Sequence, residues 1–175
     1  MTPPILKCPS CDQPLQLSDQ SWRCVNGHQF DRAKRGYTNL LLAQQRRSRA
    51  PGDDKAMVQS RTAFLERGRY QPLADALLAQ PFEQDASWVD IGCGEGWYTN
   101  QLAQRLGAAG GVGVDISKFA IDAAARRNKQ LTWLVASGAR LPLFDASMQY
   151  ALVMFTYLFV DDLVRVLKSG GELVV

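Results

Sequence analysis

The 175-residue sequence predicts an α/β fold, a mainly parallel open sheet preceded by a small cysteine-rich ribbon. Three observations predict it. From Ser87 onward short apolar strands alternate with amphipathic helices, the pattern of a parallel sheet with right-handed crossovers. The stretch DIGCGEG at 90–96 places three glycines in five positions between the first such strand and the first such helix, where open sheets hold their ligands. Three of the four cysteines and the only histidine fall within the first 28 residues.

The N-terminal piece reads Cys8-x2-Cys11, twelve residues, then Cys24-x3-His28. A CxxC turn sets two thiolates on one side of a knuckle, and Gly27 turns the chain so that His28 closes a tetrahedron. Cys3His is a structural zinc set with no open position. The alternative, a redox CxxC, would open a helix within a larger βαβ unit. Strands at LQL (15–17) and SWRC (21–24) make a ribbon too small to bury a core without the ion. From Phe30 to Asp54 a polar stretch, an NLLL patch and a basic run ending in Pro51-Gly52 read as a domain boundary. The divisions expected are therefore a ribbon over 1–35, a basic linker over 36–54 and a larger domain over 55–175.

Asp53 and Asp54 stand where an N-cap belongs, ahead of a helix from about Lys55 to Arg67. A second helix follows Tyr70-Gln71-Pro72 and runs through LADALLAQ to Pro81. SWVDI is the first strand of the sheet, WYTNQLAQRLG a helix ended by Gly107, and GVGVDI the second strand. SKFAIDAAARRN is a helix capped by Ser117. LTWLVA, MQYALVMF and GELVV supply three more strands, with the helix DDLVRVL before the last.

The net charge of +3 is unevenly spread: residues 1–55 carry +4 and residues 56–175 carry −1. Arg32, Lys34, Arg35, Arg46, Arg47 and Arg49 face no acid between 32 and 50, which is where a polyanion would bind; a solvated basic surface is the plain alternative. No apolar run approaches the roughly 18 residues of a membrane span, and the N-terminus lacks a secretory apolar core, so no membrane association and an intracellular, cytoplasmic setting are expected.

At the glycine loop, Asp90 and Glu95 are poor company for a pyrophosphate. They suit a ligand carrying positive charge, such as S-adenosylmethionine with its ammonium and sulfonium. Asp115, nineteen positions after Gly96, closes the second strand, where an acid accepts from ribose hydroxyls. Cys93 reads as a small filler.

DIGCGEG at 90–96, VDIS at 114–117 and RLP at 140–142 resemble class I S-adenosylmethionine-dependent methyltransferases. The ribbon, HQFDRAKRGYTNLL (28–41), RSRAPGD (47–53) and R-x-x-F-L-x-x-G-x-Y-x-P (61–72) narrow the resemblance to RlmA-type 23S rRNA guanine-N1 methyltransferases. It implies a Rossmann-like class I methyltransferase sheet with a small N-terminal zinc-ribbon domain, and methyl transfer to guanine N1 in a hairpin loop of 23S rRNA. It also implies an RNA-recognising ribbon, a homodimer, and cofactor contacts by Asp90, Gly92, Gly94, Glu95, Gly96, Trp97, Asp115, Ser137 and Leu141. The family's sheet continues past the strand containing Val175, so the sheet here is expected to be truncated at its C-terminus. The segment 154–162, MFTYLFVDD, lacks the proline of the family's acceptor loop. A noncatalytic ribbon protein that binds RNA and a small-molecule methyltransferase are the alternative functions. For the proton on guanine N1, Asp53, Asp54, Asp161 and Asp162 qualify by residue type alone, and each suits the role of a cap or surface acid better.

Overall fold

A computed structural model describes residues 5–46 and 48–175; Arg47, one of the cations expected to contact RNA, lies outside them. The chain begins with a three-stranded antiparallel ribbon, β1 (Gln16–Ser18), β2 (Ser21–Arg23) and β3 (Gln29–Asp31), in which Leu17 pairs with Trp22 and Trp22 with Phe30. The third strand was not expected from its short, mostly polar sequence. Cross-strand bonds hold it, with the Ser21 hydroxyl donating to Asp31 at 2.7 Å.

The main sheet has six strands in the order β4-β7-β6-β5-β8-β9, every neighbouring pair parallel. Its strands are β4 (Thr38–Asn39), β5 (Trp88–Ile91), β6 (Gly111–Asp115), β7 (Thr132–Val135), β8 (Met148–Val153) and β9 (Leu167–Val174). The helices are α1 (Lys55–Leu65), α2 (Gln71–Leu78), α3 (Trp97–Leu106), α4 (Lys118–Arg127) and α5 (Val160–Val166). Two of the helices, α1 and α4, are capped by side chains. Asp54 accepts the Met57 amide at 2.9 Å to start α1, and the Ser117 hydroxyl accepts the Ala120 amide at 3.2 Å to start α4.

The stretch 36–54, expected as a linker, is in part sheet. Thr38 and Asn39 pair with Leu134 and Val135, the Leu40 amide donates to the Val135 carbonyl at 2.9 Å, and Tyr37, Leu40 and Leu41 are buried. The reason is twofold: the NLLL patch must leave water, and the edge of β7 offers unpaired backbone groups.

The ribbon is docked on the sheet domain. Its Lys7 amide donates to the Pro142 carbonyl at 3.0 Å and the Phe144 amide to the Ile5 carbonyl at 3.1 Å. Leu6 and Leu15 share one buried cluster with Leu141, Leu143, Val89 and Ile91. Arg165 fixes the 141–145 strip from behind, donating to the Leu143 carbonyl at 2.7 Å, the Leu141 carbonyl at 2.9 Å and the Asp145 carboxylate at 2.7 Å.

On the other side of the sheet the core is centred on Trp88 and Trp133. Trp133 fills the space left by two glycines: a Cβ on Gly113 would lie 2.3 Å from its ring, and one on Gly96 2.7 Å. Its indole N–H donates to the Asn128 carbonyl at 2.6 Å. Trp133→Ala is therefore expected to cost about 3–5 kcal/mol in urea denaturation, through the cavity and the stranded Asn128 carbonyl.

Candidate functional site

The strand order reverses at β5, whose two neighbours, β6 and β8, carry the chain to opposite edges of the sheet. Open α/β sheets bind ligands outside the carboxyl ends of the strands at such a point. A cavity of about 270 Å³ lies there, lined by the end of β5 and the glycine loop (Asp90, Gly92, Cys93, Gly94, Glu95), the start of α3 (Trp97, Tyr98), Met154 and Phe155 after β8, and Arg61, Phe64, Leu65 and Tyr70. Gly92, Gly94 and Gly96 all have left-handed backbone, with φ of +71°, +57° and +77°. At Gly92 a side chain would also meet Thr156 at 2.5 Å. The loop therefore needs glycine both for its turn and for the approach of the segment after β8.

Three carboxyls gather around this loop, and burial raises the pKa of each. Asp90 is fully enclosed and pushed up to about 7 by desolvation, partly offset by the Thr99 hydroxyl donating at 2.6 Å. Glu95 is buried and raised by desolvation, and its Oε1 has no hydrogen-bond partner. Asp115 is raised by desolvation against two backbone bonds, from the Ser117 amide at 2.7 Å and the Gly94 amide at 2.9 Å. Carboxyls held out of water, one with an orphaned oxygen, fit a ligand that brings cationic groups and hydroxyl donors.

Of the residues expected at a cofactor site, Asp90, Gly92, Gly94, Glu95 and Trp97 line the cavity, and Asp115 joins it through Gly94. Gly96, Ser137 and Leu141 do not. Gly96 faces inward onto Trp133 and Ala124. The Ser137 hydroxyl accepts the Ala139 amide at 3.2 Å. Leu141 is fully buried, its amide donating to Asp162; it belongs to the joint with the ribbon. Cys93 is a packed thiol, its pKa raised by burial, as a filler would be. The sequence reasoning left Arg61, Phe64, Leu65 and Tyr70 without a role, although all four stand in the R-x-x-F-L-x-x-G-x-Y motif; the motif was the signal. Tyr98 and Phe155 carried none.

Three of the four candidate proton acceptors are otherwise engaged. Asp53 pairs with Arg61 at 2.9 Å, Asp54 caps α1, and Asp162 holds Arg165 at 2.8 Å. Asp161 is exposed in the first turn of α5.

In the ribbon, the ligand atoms of Cys8, Cys11, Cys24 and His28 all lie within 4.8 Å of one another. Cys11 Sγ is 3.7 Å from Cys24 Sγ, and Cys24 Sγ is 3.4 Å from His28 Nδ1. A zinc tetrahedron with Zn–S bonds of about 2.3 Å has edges of this size, so the donor set fits zinc.

The cations expected to meet RNA are divided. Arg32, Lys34 and Arg35 surround concavities at the end of the ribbon, whereas Arg46 donates to the Leu41 carbonyl at 3.4 Å and Arg49 is exposed in the loop before α1.

Residues 6–49 match the N-terminal zinc-ribbon domain of RlmA, and residues 89–171 match a methyltransferase domain. The chain thus joins an RlmA-type zinc ribbon to a methyltransferase domain. It is 36% identical, over 97% of its own length and 62% of the relative's, to the 23S rRNA (guanine(748)-N(1))-methyltransferase of Streptomyces fradiae. Relatives from Micromonospora griseorubida and Bacillus subtilis, whose names carry the same 23S rRNA guanine-N(1) specificity, are each 33% identical over 98% and 97% of this chain. The chain spans 62–65% of the length of these relatives. Among solved structures, a protein of Methanococcus maripaludis described as an S-adenosyl-L-methionine-dependent methyltransferase matches with a TM-score of 0.60 at 20% identity, over 72% of this chain and 65% of that one. The geranyl diphosphate C-methyltransferase of Streptomyces coelicolor matches with a TM-score of 0.53 at 21% identity, over 59% and 42%. These two likenesses show the class I fold. Among the described residues, no helix is long and apolar enough to cross a membrane.

Two outcomes are expected from the site. Metal analysis should find about one zinc per chain, lost in Cys24→Ser; full zinc in that variant would break the ligand assignment. The second concerns pH. The raised pKa of Asp90 means that its protonated form favours the fold, so its contribution is fully present below its ordinary value of 3.8 and is lost as pH rises through about 7. Asp90→Asn should therefore flatten the fall in urea stability between about pH 5 and about pH 7.5, and an unchanged slope would contradict the burial of its charge.

Proposed function

We propose that this chain binds S-adenosylmethionine at the cavity beside β5 and takes part in methylating N1 of a guanine in a 23S rRNA hairpin. The observation that carries the reading is the cluster of three buried carboxyls around a glycine loop in a chain that also bears the zinc ribbon. The named specificity of the Streptomyces fradiae relative supports the choice of nucleotide. A cytoplasmic location and a homodimer belong to the same proposal and are supported by the family resemblance.

When bound, the cofactor supplies a methyl group on a cationic sulfur, open to in-line attack. Asp90 and Glu95 stabilise positive charge at the loop, and Asp115 accepts hydroxyl hydrogen bonds with the lone pairs that the Gly94 and Ser117 amides leave free. Trp97, Tyr98, Phe155, Tyr70 and Phe64 ring the cavity, with successive ring centroids from 4.7 to 6.2 Å apart. They line it with apolar surface, which suits a transfer that depends on alignment in a dry site. A guanine in a loop leaves its stack more cheaply than one in a duplex.

Calorimetry on the chain should detect S-adenosylmethionine binding, weakened in Asp115→Ala by about 1–3 kcal/mol. A tritiated-methyl assay on 23S rRNA, read by mass mapping, tests the acceptor. Absence of cofactor binding in a folded, zinc-loaded sample would sink the reading.

A further inference from the structure

Resting on the RNA reading above, we infer that the RNA-docking surface is a groove between the ribbon, α4 and α1, and that the basic stretch before α1 is not its main part. The groove has a volume of about 850 Å³, and Arg35, Lys55, Lys118, Arg126 and Arg127 line it. It continues past Arg35 into a second concavity that adds Lys34 and Lys129. The charge is not cancelled locally. Asp122 is shared between Arg35 at 3.2 Å and Arg126 at 2.8 Å, and Glu66 pairs with Arg127 at 2.7 Å. Lys34, Lys55, Lys118 and Lys129 have no ion-pair partner among the described residues.

Two features favour a nucleic acid over another acidic partner. Phe119, 44% exposed on α4, stands among these cations, and a basic track interleaved with an aromatic face is how single-stranded nucleic acid is held. The groove also leads to the cofactor cavity: Glu95 lines both, and its carbonyl accepts from Arg127 at 3.3 Å. A strand whose phosphates follow Lys129, Lys118 and Lys55 therefore passes the mouth where a splayed base would enter. Charge counted along the sequence hides this surface, because Lys118, Arg126, Arg127 and Lys129 come from the half whose net charge is −1.

The test is filter binding of in vitro transcribed 23S rRNA to K55E/K118E/K129E, with R46E/R49E and the unaltered chain beside it. The groove variant should lose at least about tenfold in affinity at about 50 mM salt, and its plot of log affinity against log salt should become shallower by about 2. R46E/R49E should stay within about threefold of the unaltered chain. Both variants should bind S-adenosylmethionine as the unaltered chain does, which reports an intact fold. RNA affinity unchanged in the groove variant, with loss in R46E/R49E, would overturn the groove while leaving the RNA reading in place. Unchanged RNA affinity with lost binding to poly-glutamate would assign the groove to an acidic protein and overturn it too. An unaltered chain that binds no RNA would remove both the groove and the rRNA reading.

Discussion

Asp115 is held between two backbone amides, one at Gly94 and one at Ser117. Those amides belong to the loops that leave β5 and β6, so a single carboxylate ties the ends of the two central strands together. It can do so only because Gly92, Gly94 and Gly96 let the chain turn left-handed three times within five residues. The turn starts α3 at Trp97, brings Gly96 onto Trp133, and leaves room at Gly92 for Thr156. The cavity, the helix that floors it and the packing of β7 behind it all follow from that tie.

Holding the carboxylate there has an electrostatic cost, and two neighbouring carboxyls share it. Asp90, Glu95 and Asp115 are each pushed toward their neutral forms by burial. A hydrophobic core would be cheaper at these positions. The arrangement is reasonable for a site completed by a cation, and Arg61 already leans toward it from α1 while pairing with Asp53 at 2.9 Å. The strap at Gly52–Asp53 is fixed in turn by the Ser117 hydroxyl, which donates to the Asp53 carbonyl at 2.6 Å. The cover of the cavity and its floor are thus fastened to the same residue pair at the end of β6.

The ribbon is integrated by a different interaction. Leu6 and Leu15 enter the buried cluster beneath Leu141 and Leu143, and Arg165 holds that strip in place through its carbonyls. Rigid docking matters because the cations of the ribbon's last loop, Lys34 and Arg35, meet those of α4 only in that arrangement.

How much of this the sequence determined can be said residue by residue. The cysteine–histidine cluster, the glycine loop, Asp115 and the alternating strands were legible because each depends on local chemistry: spacing of thiols, absence of Cβ atoms, period of apolar residues. What was not legible depended on distant partners. Thr38–Asn39 became a strand because β7 had a free edge, Leu141 became a joint because the ribbon lies on it, and Gly96 turned inward because Trp133 occupies the other side. The basic groove is the fullest case: its cations come from the ribbon's last loop, α1 and α4, and charge counted along a chain cannot show charge gathered across it. Local geometry is fixed by neighbours in sequence, whereas surfaces are fixed by which elements pack together, and only the tertiary structure decided that.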